Sequence, residues 1–213
     1  LELFIDKLAQ ADYYAEQDPG EAAIRGRFTG EGIDVELKAW VAAMHNAVVI
    51  EMISSAACEV SARLWATEGN TSVNNAGRNG GIAWVTRSFE NSPLLEWPSH
   101  IAMAACIPED GIIRLSPGDK HTLVVTAYTN HDRHDWKQAA VSDAVMSGDK
   151  LAEMESAHRE WWRDYWAKSR VSIGDSFLER YYYSSLYLLG CSSREGKFAP
   201  GIWGSFVTRD YAA

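Results

Sequence analysis

Up to about residue 130 this chain holds short segments in which apolar and polar residues alternate; beyond about residue 145 the apolar residues return every third and fourth. A period of two belongs to a pleated strand and a period near 3.6 to a helix. The chain is therefore expected to build a β-rich body first and helices after it. Val35–Val41, Glu59–Trp65, Ile82–Arg87, Ile101–Ile107 and His121–Tyr128 read as strands. Val48–Ile53 is more continuously apolar, as a strand covered on both faces must be. Gly30-Glu31-Gly32, Gly69-Asn70, Gly80-Gly81, Asp110-Gly111 and Pro117-Gly118-Asp119 supply the breaks. Short strands at such spacing predict a β-sandwich. The first thirty residues are less regular, and only Ala22–Phe28 reads as one broken strand. Thr71–Gly81 reads as a polar Gly/Asn hairpin loop; as a phosphate cradle it lacks the Lys-Ser/Thr that would follow.

The helical part is unusually aromatic. Leu151, Met154, His158, Trp161, Trp162 and Tyr165 share one helix face, with Ser147 or Asp149 as the expected cap. A second helix is predicted from about Asp175, with Phe177, Leu178, Tyr181, Tyr182, Leu186 and Leu189 on its apolar side. Gly190 near its end costs about 1 kcal/mol against Ala, unless it admits a close neighbour. Two such helices call for a partner larger than the residues that follow can provide. Isolated, they are expected to self-associate through that surface.

Composition excludes some classes. A net charge of −9 with no Lys/Arg stripe argues against nucleic acid as a partner. No apolar run reaches the eighteen residues of a membrane span. The chain opens on Leu1, so a secretory leader is not readable from it. Nine Trp and nine Tyr suit a core, and they also suit platforms for sugars. Cys58, Cys106 and Cys191 are an odd set in apolar surroundings, which predicts buried free thiols.

Chemistry-bearing clusters are few. His131-Asp132-Arg133-His134-Asp135 has two His at a three-residue spacing, but no third ligand is fixed by spacing, and a polar loop is the simpler reading. His158 reads as a packed, hydrogen-bonded histidine. No Ser stands in a Gly-x-Ser-x-Gly elbow. Of the carboxylates Glu155, Glu160, Asp164, Asp175, Glu179 and Asp210, only Asp210 lies past a Pro-Gly-x-Trp-Gly turn, where a loop can face a cleft. No acid and base pair can be assigned. No metal or cofactor is called for.

One family resemblance covers most of the chain in order and is specific after about residue 115. It rests on His158-x-x-Trp161-Trp162, Trp166 with Lys168-Ser169, Asp175-x-x-Leu178-Glu179-x-x-Tyr182-Tyr183, Cys191-Ser192-Ser193-Arg194 and Pro200-Gly201-Ile202-Trp203-Gly204. Upstream, Leu115–Lys120, Leu123-Val124-Val125 and Thr129–Asp132 fit the same pattern. Together they resemble the domain junction of six-hairpin glycosidases, above all glycoside hydrolase family 95, the α-L-fucosidase and α-L-galactosidase group, and its bacterial relatives. The resemblance implies a β-sandwich over 1–145, a helical linker over 146–174 and the start of an (α/α)6 barrel over 175–213. It implies a glycan substrate held through a barrel of which this chain carries only the beginning. In that family an acid and a water-activating Asn pair lie in the barrel, past Ala213, so no catalytic residue is expected here and the chain alone should be inactive. It places Trp203, Arg209 and Asp210 at the rim of the substrate pocket. It also implies a bacterial, secreted or periplasmic protein. Gly204-Ser205-Phe206-Val207-Thr208 departs from the family's Trp-Asn continuation, which leaves the sugar open. The alternatives are a carbohydrate-binding sandwich that grips sugar through exposed aromatics such as Trp97 or Trp136, and a purely structural or assembly piece.

Overall fold

The computed structural model describes residues 1–67, 72–89, 96–146, 148–193 and 196. Eleven strands and three α-helices are found among them. The strands are β1 (Glu2–Phe4), β2 (Asp12–Asp18), β3 (Ala23–Gly30), β4 (Ile33–Val41), β5 (Ala47–Ser54) and β6 (Cys58–Arg63). They continue with β7 (Val73–Asn79), β8 (Ile82–Phe89), β9 (Ser99–Cys106), β10 (Ile112–Leu115) and β11 (Lys120–Thr129). The helices α1 (Trp136–Asp143), α2 (Asp149–Ala167) and α3 (Ser176–Ser192) follow. The expected order, strands before helices, is what the molecule shows.

Two sheets form. The larger runs β2-β3-β4-β5-β11-β9-β8-β7, and the smaller β1-β6-β10. Every paired strand is antiparallel to its neighbour. The smaller sheet packs Val60, Ala62, Ile113 and Leu115 against Met52, Ala83, Ala105, Leu123 and Val125 of the larger. The opposite face of the larger sheet is covered by helices. Val49 and Val124 meet Met154 of α2, and Ala102 and Ala104 meet Ala140 and Ala144 at α1. The layering is sheet, sheet, helix, so the middle strands are sealed on both sides. That is why Leu123-Val124-Val125 is unbroken apolar sequence: successive side chains enter different cores.

Turn chemistry fixes register at two hairpins. Glu31 (φ 46°) and Gly32 (φ 73°) join β3 to β4, and Gly80 (φ 48°) and Gly81 (φ 59°) join β7 to β8. Two successive left-handed residues match the twist of the flanking strands. Glu31 is the costly member, because its Cβ crowds the backbone there.

Four expectations are corrected. The irregular first thirty residues contain β1, β2 and a full-length β3 rather than one broken strand. Val73–Asn79 within the expected loop is an edge strand, and only Gly80-Gly81 turns. An unforeseen helix, α1, lies inside the segment assigned to the sandwich. The N-cap of α2 is Gly148, with Asp149 in its first turn; Ser147, the other expected cap, lies outside the described residues.

Candidate functional site: the helical seam and the surface around it

Helix α2 is fixed to the sheet by a histidine. His158 is 3% exposed and lies 4.7 Å from the Trp40 ring. Its Nδ1 accepts the Ala43 backbone N–H at 3.2 Å, so Nε2 carries the proton and donates to the Glu21 carbonyl at 2.9 Å. Glu21 belongs to the loop between β2 and β3, and Ala43 to the loop between β4 and β5. One imidazole therefore ties two sheet loops to one helix. The expectation of a packed, hydrogen-bonded histidine holds.

Beside it, Trp162 is 2% exposed and packs on Ala22 and Ala43. Its indole N–H, like that of Trp40, is buried with no hydrogen-bond partner among the described residues. At this point the seam is held by packing. Trp166 Nε1 donates to the Pro19 carbonyl at 3.0 Å, a third tie onto the β2–β3 loop. Ala22 in that loop has φ 47°, a conformation that costs a non-glycine residue energy and that these contacts hold in place.

Helix α3 packs on α2 through rings. Tyr187 stacks on Trp162 at 5.3 Å, and Tyr165 Oη donates to the Leu186 carbonyl at 2.7 Å. Gly190 allows the approach: a Cβ there would lie 3.0 Å from Trp162 Cη2 and from Tyr165 Cζ. The glycine admits side chains of α2 rather than another helix backbone. The Asp175 carboxylate caps α3 by accepting the N–H groups of Phe177 and Leu178. Glu179 accepts those of Ile173 and Gly174. The outer side of α3 is open: Phe177 is 73% and Tyr181 70% exposed, with Leu178, Leu188 and Leu189 also exposed.

The five candidate carboxylates among the described residues, Glu155, Glu160, Asp164, Asp175 and Glu179, are engaged in structure. Glu155 bonds Lys38 at 3.2 Å and Arg159 at 2.6 Å. Burial raises its pKa, but the Lys38 hydrogen bond and charge and the Arg159 charge outweigh that and hold it below the usual value. Glu155 is thus a poor proton donor at neutral pH. Glu160 and Asp164 both pair with Arg163, while Asp175 and Glu179 serve the start of α3. Glu155 and Glu160 line a groove of about 700 Å³ with Glu21, Ser156, Arg159 and Arg163, a rim of mixed charge. Trp203, Arg209 and Asp210 lie outside the described residues.

The His131–Asp135 segment is a polar turn. Asp132 Oδ2 accepts the Thr129 N–H and hydroxyl, and Asp135 pairs with Arg133 at 2.8 Å. His131 Nε2 meets the Ser99 hydroxyl at 3.2 Å. No group of three metal-binding side chains occurs among the described residues. The thiols correct an expectation: Cys58 is half-buried, and Cys106 and Cys191 are exposed. Trp97 is exposed as expected, but Trp136 is half-buried, stacked on His100 at 5.6 Å. Among the described residues, no helix is long and apolar enough to cross a membrane.

Sequence reasoning missed the ion network in which Lys38 and Lys120 flank Glu51 on the open part of the larger sheet. Register places the three on neighbouring strands. Nothing in a local window of sequence joins positions so far apart. No protein-family model matches the chain, and no curated protein does.

Proposed function

We propose that this chain is the sandwich, linker and first barrel helix of a glycoside hydrolase that acts on glycans outside the cell, with the catalytic acid and the water-activating groups carried by further helices. The observation that carries the reading is the asymmetry of α3. Its inner side is keyed to α2 through Gly190 and Tyr187, while Phe177, Leu178, Tyr181, Leu188 and Leu189 face outward on a helix capped and ordered at its start. A helix so exposed needs a covering layer, and a neighbouring helix of an (α/α)6 barrel is a layer of the right kind. The structural roles of Glu155, Glu160, Asp164, Asp175 and Glu179 fit a catalytic pair carried elsewhere. In this reading the sandwich buttresses the barrel, and Trp203, Arg209 and Asp210 lead toward its pocket.

The test is to read the coding sequence past Ala213 and assay the longer product beside this chain on aryl α-L-fucoside and α-L-galactoside. The longer product is expected to release the aryl group and this chain to be silent. A stop codon after Ala213, or hydrolysis by this chain after removal of contaminating enzymes, would overturn the reading.

A further inference from the structure

A second groove lies on the helix-covered face of the larger sheet, toward its β7 edge, between α1 and the β7–β8 hairpin. Its volume is about 520 Å³, within the range of roughly 300–1,000 Å³ of small-molecule sites. Two indoles line it, Trp84 from β8 and Trp136 from the start of α1. Polar groups surround them: the Asn79 and Gln138 amides, the His134 ring and the Lys137 ammonium.

The Trp84 ring is deliberately seated. It lies opposite Gly77 in the β7–β8 register, and a Cβ at Gly77 would come 2.5 Å from Trp84 Cζ2. The edge strand has a glycine where the indole crosses it, so the ring lies against the sheet and shows a face to the groove. Lys137 Nζ stands 3.7 Å from the ring centroid, on an exposed and flexible side chain. Trp136 is immobilised in turn by stacking on His100 and by packing with Ala102, Ala104 and Ala140. Fixed indoles beside amide donors and acceptors have two complements to offer. Flat apolar C–H faces lie on the rings, and ring hydroxyls reach the amides.

We propose that this groove is a binding site for a neutral pyranose unit of a glycan chain, with Trp84 as platform, Asn79 and Gln138 as hydroxyl partners and Lys137 as a displaceable cover. The proposal rests on the glycan reading above and adds a site for holding the polymer away from the barrel.

The test is titration of the chain with hexasaccharide fragments of β-1,4-glucan, β-1,4-xylan and polygalacturonate, followed by tryptophan fluorescence and calorimetry. At least one neutral hexasaccharide is expected to bind. Gln138→Ala should weaken it severalfold, and Trp84→Ala about tenfold, the worth of one stacked ring. Lys137→Ala should tighten it by uncovering that ring, a result that damage to the fold would not produce. Gln138→Ala and Lys137→Ala alter exposed side chains, so the proposal stays testable even if Trp84→Ala fails to fold. No binding in the millimolar range overturns it, as does binding unchanged by Gln138→Ala and Lys137→Ala. Binding of polygalacturonate alone, lost with Lys137→Ala, overturns it in favour of an anion site. The two proposals fail separately: hydrolysis by the longer product without binding here removes only the groove, and binding without hydrolysis removes only the enzyme.

Discussion

Helix α2 carries four large aromatic rings and helix α3 five, yet they spend them differently. In α2 Met154 packs on the sheet, His158, Trp162 and Trp166 meet the sheet loops, Tyr165 turns to α3, and Trp162 is almost wholly buried. In α3 only Gly190 is fully buried, Tyr187 and Tyr183 reach α2, and Phe177 and Tyr181 face outward. One helix has its binding surface satisfied within the described residues; the other has it half satisfied. Aromatic content alone does not distinguish the two. What does is the kind of polar anchor: the two hydrogen bonds of the buried His158 tie α2 to the backbone of two sheet loops, whereas α3 reaches the sheet through the side-chain hydrogen bond of the half-buried Tyr187 with Gln17 of β2.

Substitutions can break this contrast. Trp162→Ala should cost about 3–5 kcal/mol in denaturant unfolding, the usual loss for a buried large aromatic, while Trp162→Phe should cost less because the indole N–H has no partner to lose. Should Tyr181→Ala cost as much as Trp162→Ala, the contrast is false; the expected effect of Tyr181→Ala is within about 0.5 kcal/mol, as for exposed positions generally. His158→Phe should cost about 2–4 kcal/mol by stranding the Glu21 carbonyl and the Ala43 N–H. Gly190→Val should cost about 1–3 kcal/mol by overpacking against Trp162 and Tyr165, and should loosen α3 with little effect on the sheets. In the sandwich, Glu31→Asn should stabilise by about 0.5–1 kcal/mol, because Asn tolerates the left-handed turn better.

The smallest effect is a pH dependence. Burial lowers the pKa of His121, at the start of β11, below its ordinary 6.5. The unfolded chain then takes up more protons than the folded one as pH falls through 6.5. The neutral-form advantage is complete above that value and is lost as pH drops toward the folded-state pKa. His121→Gln should flatten the stability profile over that window in thermal melts, whereas wild type should lose stability there.

The parts of the fold that could be read from sequence are those with two different faces or two buried ones. β4, β5, β8, β9 and β11 announce themselves because burial imposes a period. β2, with Asp12-Tyr13-Tyr14-Ala15-Glu16-Gln17-Asp18, is exposed along nearly its whole length, and β7 is nearly as open. Edge strands of this kind are held by ladder hydrogen bonds and not by side chains, so hydrophobic pattern cannot reveal them. Helix α1 buries only Ala139 and Ala140 and escapes for the same reason. Cys106 misled because its alanine neighbour enters the core in its place: Ala105 is fully buried while Cys106, one position on, points the other way. For the site, His158 was legible as a packed residue, but its partners were not. Neither of the backbone groups it joins leaves a trace in the side-chain sequence.

Those partners also set an order of events in folding. His158 meets Ala43 across 115 positions and Glu21 across 137. Closing chain segments of that length is entropically expensive and is repaid only when both loops already stand in place. The sheets must therefore form before α2 can lock, and α2 must lock before Trp162 offers α3 a surface. The described elements follow in that same order along the chain, the strands first and α1 to α3 after them, which suits folding from the N-terminus during synthesis.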